Sequence, residues 1–220
     1  MEALSSECYE SYFLEQLSHS KWHHLNEKKL YFKMKRGIDI IISIIGLIIG
    51  TPFILIFGLL IFLESPGTII FKQQRVGKNG QIFTLYKLRS MRLDAEKYGQ
   101  KWADKNDSRV LRVGKFIRKT RIDELPQLIN ILKGEMTLIG PRPEIPKFTL
   151  EFNEKYPGFV NRIKVTPGLT GLAQVSGGYD MEPNEKLEKD LEYIQKQSIK
   201  LDLIIIIKTI SVIFTGAGAR

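Results

Sequence analysis

The residues best suited to chemistry lie between Arg118 and Pro126, in the order Arg-Lys-Thr-Arg-Ile-Asp-Glu-Leu-Pro. Asp123 and Glu124 are adjacent carboxylates beside Arg118, Lys119 and Arg121. An ionised carboxylate can attack phosphorus. It can also hold Mg2+, a hard cation that takes oxygen ligands and keeps several waters. The pair also admits a plain reading, in which Asp123 caps a helix and Glu124 pairs with surface cations. Leu125, Leu128, Ile129 and Leu132 repeat at helical spacing, and Gly134 is a natural stop. The spacing therefore predicts a helix over residues 123–133, with Asp123 as N-cap and Pro126 tolerated in the first turn. The positive helix end and the nearby cations are expected to favour ionised Asp123.

Other cations suit phosphate. Lys87 and Arg89 end a β-prone run, and Arg142 is pinned between Pro141 and Pro143. A guanidinium held this way aims at phosphate oxygens at reduced entropic cost. Each of these cations alone reads as a solvated surface charge. With Arg118 they form an anion-binding face suited to a nucleotide diphosphate. The Gly- and Thr-rich loop from Pro167 to Gln174 can present backbone amides to an anion, or simply turn the chain. No Walker A sequence, zinc spacing, Gly-x-Gly-x-x-Gly fingerprint or nucleophile elbow is present.

These residues must be held by elements that 220 residues can build, a length suited to one domain with an appended element. Cys8 is the only cysteine, which excludes a disulfide scaffold. The net charge is +9, and residues 72–147 carry 18 Lys and Arg against 8 Asp and Glu, so the positive field belongs to the middle of the chain. A basic middle suits nucleic acid, an anionic membrane surface or phosphorylated substrates. No DNA-binding motif or aromatic–basic single-strand platform accompanies it, so no nucleic-acid partner is expected. A non-catalytic membrane scaffold is the remaining alternative, and it makes Asp123 and Glu124 dispensable.

Residues 38–62 form an apolar run of 25 positions whose single charge is Asp39. That length and purity indicate a membrane segment. Gly50-Thr51-Pro52 interrupts it, and proline removes an amide donor, so a kink or a break is expected. Two geometries follow: a kinked span, or a helix that enters, bends at Thr51-Pro52 and leaves on the same side. Lys33, Lys35 and Arg36 precede the run, and Lys72, Arg75 and Lys78 follow it. Positive flanks on both sides favour two cytoplasmic ends. The broken backbone at depth would need protein, water or the Thr51 hydroxyl to satisfy it.

No apolar stretch starts near Met1, so no secretory signal is expected there. His23-His24 lacks a third ligand nearby and is not expected to bind metal. Downstream, Ile69–Val76 and Gln81–Leu88 flank Gly77-Lys78-Asn79-Gly80, a hairpin signal. Residues 92–109 read as helix and loop, 114–121 as basic and amphipathic, 166–178 as loop and 183–197 as helix. Residues 201–214 are apolar but too short to span, so they read as an interfacial or packed helix.

Five motifs occur in order: Lys87-Leu88-Arg89-Ser90-Met91, Asp123-Glu124-Leu125-Pro126-Gln127-Leu128, Leu132-Lys133-Gly134-Glu135-Met136, Gly140-Pro141-Arg142-Pro143 and Pro167-Gly168-Leu169-Thr170-Gly171. With the apolar run upstream, the chain from about Lys33 resembles the bacterial sugar transferases, the monotopic polyprenyl-phosphate phosphoglycosyl transferases. The resemblance implies a mostly helical α+β fold. It has an N-terminal extension (1–32), a re-entrant membrane helix-break-helix (33–66), and a cytoplasmic interfacial catalytic domain with a small β-hairpin and an interfacial C-terminal helix (67–220). It implies transfer of a sugar 1-phosphate from a UDP-sugar to undecaprenyl phosphate, with release of UMP, at the inner face of the bacterial cytoplasmic membrane. The product would begin a surface polysaccharide.

By the same resemblance Asp123 is the nucleophile that forms a covalent phosphosugar, Glu124 is its dyad partner, and the two carboxylates hold Mg2+. Lys87, Arg89, Arg118, Arg142, Thr170 and Gln174 are the candidate substrate contacts. Thr51 and Pro52 are the membrane break. A homo-oligomer stays open. The chain departs from many relatives at Ser176-Gly177-Gly178, where they carry an arginine after the Ser-Gly or Asn-Gly pair. The identity of the sugar is therefore open.

Overall fold

A computed structural model describes residues 5–18, 28–95, 97, 107–178 and 181–215. His23-His24 and much of the segment 92–109 lie outside the described residues. The described chain is mostly helical, with one long apolar helix near the N-terminus and two small sheets. Its helices are α1 (Ser6–Ser18), α2 (Lys29–Glu64), α3 (Arg112–Lys119), α4 (Gln127–Lys133), α5 (Pro146–Lys155), α6 (Leu172–Ser176), α7 (Pro183–Lys196) and α8 (Ile199–Thr215). Its strands are β1 (Ile70–Val76), β2 (Ile82–Leu88), β3 (Thr137–Ile139) and β4 (Gly168–Thr170).

The expected hairpin is present: β1 and β2 pair antiparallel from Ile70 opposite Leu88 to Val76 opposite Ile82. Asn79 and Gly80 take positive φ at its tip, which asparagine and glycine tolerate. The helices expected over 183–197 and 201–214 are α7 and α8. The segment 166–178 is not the loop its composition suggests, because β4 pairs in parallel with β3 and α6 follows. That pairing depends on a partner some 30 residues away, which local composition does not register. It is very close: a Cβ on Gly168 would lie 2.1 Å from the Gly140 nitrogen. Two of the five motifs are thus two halves of one backbone contact.

The helix expected over 123–133 starts later. Arg121 takes a left-handed conformation, Ile122–Glu124 form a 3-10 turn, and α4 begins at Gln127. Asp123 makes no capping hydrogen bond. Ile129, expected on the packed face, is exposed, whereas Ile131 is fully buried. The cause is Asn130, which is buried and locks α4 to β2. Its amide donates to Thr84 O (2.7 Å) and its oxygen accepts from the Tyr86 N–H (3.2 Å).

Helix α2 runs for 36 residues, about 54 Å of helical contour. It is one hydrogen-bonded helix with Pro52 inside it, not two separate arms. Proline deprives the Ile48 carbonyl of its donor, and the Thr51 hydroxyl donates to the neighbouring Leu47 carbonyl (2.6 Å). One side of α2 touches the rest of the chain at almost every turn. Asp39, Ser43, Gly50, Gly58 and Ile61 are buried. Gly46 lies against Leu128, Gly50 against Leu125 and Gly58 against Ile69. The other side exposes Ile41, Ile45, Ile48, Leu55, Leu59 and Leu63.

Both ends of α2 are anchored to the same body. Near the start, Lys35 pairs with Asp202 of α8 (2.8 Å), and Arg36 donates to Ile131 O and Leu132 O at the end of α4. At the finish, Glu64 accepts the N–H groups of Arg112 and Val113 (2.7 and 2.9 Å). The charge in the apolar run is likewise committed inward. Asp39 is 3% exposed and accepts from the Thr137 hydroxyl (2.6 Å) and the Leu138 N–H (3.0 Å). Helix α1 is part of the body too: Phe13 is fully buried against Val76, Val160 and Ile163.

Asp39→Ala strands the Thr137 hydroxyl and the Leu138 amide in a buried site, so it is expected to cost about 2 kcal/mol of stability. Asp39→Asn, which keeps an acceptor, should cost less. Thermal melts of the detergent-solubilised protein give the comparison.

Candidate functional site

The site is assembled where β2, the corner after α3 and the segment 140–144 converge. Glycine 114 lets α3 approach: a Cβ there would lie 2.0 Å from the Ser90 carbonyl oxygen. Helix α3 then ends at Lys119, and the left-handed corner at Arg121 delivers Asp123 and Glu124 to the interior. A non-glycine residue in that region costs about 1 kcal/mol, a strain tolerated where a site needs it.

Segment 140–144 is held at nearly every backbone group. The Gly140 N–H donates to Thr170 O (2.8 Å), and Pro141 O accepts from the Gly168 N–H (2.8 Å). Arg142 O accepts from Arg162 (2.9 Å), Pro143 O from Arg75 (3.0 Å) and Glu144 O from the Val76 N–H (2.9 Å). Arg162 is itself buried and paired with Asp190 of α7 (2.5 Å). Neither Arg162 nor Asp190 is marked by local sequence, because they are 28 positions apart and meet only through packing.

From this segment Arg142 reaches Glu124. The Glu124 Oε1 atom accepts from Arg142 Nη2 (2.7 Å) and Lys87 Nζ (3.3 Å), with Arg121 Nη1 at 3.7 Å. Arg121 was not among the expected substrate contacts, although it stands two residues from the dyad. Burial opposes ionisation of Glu124, but Arg142, Lys87 and Arg121 together overcome it and hold the carboxyl far below the usual range.

Asp123 is equally hidden, at 6% exposure against 8% for Glu124. Its outcome is opposite: burial pushes it up, to about 6, with Lys87 opposing, Glu124 adding to the rise, and Arg118 and Arg121 opposing. The nearby cations favour the ionised form as expected, but the expected helix end does not add to them. No α-helix begins at Asp123, and desolvation outweighs the cations. Its Oδ1 is buried without a hydrogen-bond partner.

Both carboxylates line a cavity of about 620 Å3, a size suited to a nucleotide-sized ligand. Ten Lys and Arg line it against three acids, Asp123, Glu124 and Glu144, so it favours an anion. Lys87, Arg89, Arg118, Arg142 and Gln174 all border it. Arg89 is buried and donates to Ser65 O at the end of α2, while its Nε and Nη1 have no partner. Arg118 Nη1 and Gln174 Oε1 are also buried without partners. Thr170 is not brought to the cavity; its hydroxyl pairs with that of Thr209 on α8 (2.7 Å). Gly178, where the resemblance leads one to expect an arginine, borders the cavity, as do Arg162 and Lys186.

Among the described residues no cluster of three or more His, Cys, Asp or Glu side chains is suited to a metal. The unpartnered Asp123 oxygen beside an ionised Glu124 still fits Mg2+, which binds through one or two carboxylates together with ligand phosphates and water.

The model of the family described as bacterial sugar transferase matches residues 30–216. A UDP-N-acetylgalactosamine-undecaprenyl-phosphate N-acetylgalactosaminephosphotransferase of Aeromonas hydrophila is 44% identical over 225 residues, covering 95% of this chain and 53% of that protein. A Bacillus subtilis (strain 168) protein, provisionally named an undecaprenyl-phosphate N-acetylgalactosaminyl 1-phosphate transferase, is 57% identical over 140 residues, covering 63% of this chain and 78% of its own. The UDP-glucose:undecaprenyl-phosphate glucose-1-phosphate transferase of Escherichia coli (strain K12) is 37% identical over 191 residues, 84% of this chain and 41% of that one. The chain thus spans about half the length of the Aeromonas and Escherichia proteins.

A carboxyl whose folded pKa lies above its unfolded value stabilises the fold below the unfolded value, and that contribution is lost as pH rises through the folded one. Asp123→Asn removes this liability. The variant should therefore be more stable than the parent by about 3 kcal/mol at pH 8, and the difference should vanish near pH 4. Paired melting curves across this range decide it.

Proposed function

The chain belongs to the bacterial sugar transferase family, and on that premise we propose that it transfers a sugar 1-phosphate from a UDP-sugar to undecaprenyl phosphate and releases UMP. The observation that carries the reading is Asp123: buried, with one oxygen unpartnered, in a cavity dominated by cations. Asp123 attacks the β-phosphorus of the donor. A bond forms between its carboxylate oxygen and phosphorus, and the bond from that phosphorus to the bridging oxygen breaks, so UMP departs with the electron pair. An oxygen of the acceptor phosphate then attacks the same phosphorus, the bond to Asp123 breaks, and the carboxylate is restored.

Arg89 and Arg118, with nitrogen atoms unspent in the protein, bind the diphosphate. Glu124 anchors Arg142 and Lys87, so the cations are already oriented before substrate arrives. Gln174, which borders the cavity with its Oε1 unpartnered, contacts the donor. Asp123 and Glu124 would hold Mg2+, which would supply neutralisation of the phosphate charge. The relatives' names span N-acetylgalactosamine and glucose, and with glycine at 178 the contacts to the sugar fall to neighbours such as Lys186 and Arg162. The product would begin a surface polysaccharide.

We further propose that α2 is re-entrant, entering one leaflet and returning at Thr51-Pro52 to the cytoplasmic face. Support comes from its inner side, which lies against the body at residues 39, 43, 46, 50, 58 and 61. Its two ends are tied to the same body, which favours both ends lying on one side of the membrane. The exposed Ile and Leu of the outer side then face lipid. The enzyme would sit on the inner face of the cytoplasmic membrane.

Purified protein with Mg2+, undecaprenyl phosphate and a panel of UDP-sugars should release UMP with at least one donor. Asp123→Asn should lose on the order of 10³-fold in turnover, and wild-type turnover in that variant overturns the nucleophile. Donor alone should leave sugar-phosphate mass on Asp123. Because the carboxylate is the reacting form, the rate of this half-reaction should rise as pH climbs through about 6. Cysteines placed at residues 30 and 72 should be labelled from the cytoplasm only, and labelling from opposite sides refutes the re-entrant arrangement.

A further inference from the structure

Helix α3 carries a face that the reaction does not use. Its sequence, Arg-Val-Gly-Lys-Phe-Ile-Arg-Lys, contains four cations and no acid. Gly114 and Ile117 are buried, and Arg118 borders the cavity. Arg112, Lys115, Phe116 and Lys119 are all exposed. Their spacing of three, four and seven residues places them on one side of the helix.

This face continues the exposed side of α2. The Phe116 ring, 52% exposed, stacks on Phe57 of α2 at 5.4 Å between centroids. Phe53, Ile56 and Leu60, exposed on α2, surround that position in sequence. The orientation of α3 is fixed at its origin, because the carboxylate of Glu64, the last residue of α2, accepts the first two N–H groups of α3. A row of cations is therefore held rigidly at the edge of an apolar surface, with an aromatic ring at the boundary. Aromatic rings and long basic side chains favour the zone where acyl chains meet headgroups.

We propose that Arg112, Lys115 and Lys119 bind the phosphate headgroups of anionic phospholipids in the bilayer, with Phe116 seated at the acyl boundary. The proposal rests on the reading of α2 as lipid-facing. Charge complementarity and continuity with that apolar surface single out the lipid headgroup over a soluble anion, which has no use for the exposed aromatic ring. Each cation near an anionic surface strengthens association about fivefold, and the attraction weakens as salt shortens the screening length. Arg118 emerges from the next side of the same short helix, so headgroup binding would also fix the distance between the cavity mouth and the lipid surface.

The test uses the full chain reconstituted in phosphatidylcholine nanodiscs with trace spin-labelled phosphatidylglycerol or spin-labelled phosphatidylcholine. The wild type should prefer the phosphatidylglycerol probe by at least about threefold, less so in 1 M salt. The variant Arg112→Gln/Lys115→Gln/Lys119→Gln should lose most of the preference and still turn over in neutral lipid. Lys29→Gln/Lys33→Gln, at the other end of α2, should keep it. An unchanged preference in the triple variant, or a loss confined to the double variant, overturns the proposal. Failure of the wild type to enter neutral nanodiscs would instead overturn the reading of α2, which separates the two.

Discussion

A buried glutamate that attracts cations from three separately formed elements holds this site together. Glu124 Oε1 draws Arg142 from the pinned segment 140–144, Lys87 from the end of β2 and Arg121 from a left-handed corner. Burying a carboxylate alone is prohibitively costly, and each cation reduces that cost only if its own element is in place. The hairpin, the parallel β3–β4 contact and the corner after α3 are thus coupled through one oxygen atom. Asp123, next in sequence and equally hidden, lacks such a direct partner and retains its proton to higher pH. Depth does not distinguish the two carboxylates; their immediate neighbours do.

Much of this was legible in the residues. The apolar run, the hairpin around Asn79-Gly80, helices α7 and α8, and the adjacency of Asp123 and Glu124 follow from periodicity, turn chemistry and residue type. The rest depends on contacts distant in the chain. The 166–178 segment holds a strand because Gly140 and Gly168 nearly touch, and no window of local composition encodes that. Thr170 had the right chemistry for a ligand but spends its hydroxyl on Thr209. Arg162 and Asp190 had no local signature, yet they hold the carbonyl of Arg142. Asp123 stood where a cap is expected, and the corner at Arg121 turned it into the cavity instead.

Helix α2 shows what hydropathy conceals. By apolarity alone, residues 38–62 are nearly uniform. By size they have two sides, with Ser43, Gly46, Gly50 and Gly58 toward the protein, joined by Ile61, and most of the other large Ile and Leu side chains away from it. Small residues let helical backbones approach a partner closely where no hydrophobic gradient drives the contact. Asp39, read as an exception to a lipid-facing run, belongs to this inner side and fastens it to β3.

In the proposed re-entrant arrangement, with α2 lying along the body, the protein and the proposed lipid-borne acceptor would be confined to the same sheet of membrane. Their encounter becomes a search in two dimensions, governed by lateral diffusion and by how many molecules share each patch of surface. Only the proposed water-soluble donor would arrive from the third dimension, and the size of its pool would set that half of the traffic alone.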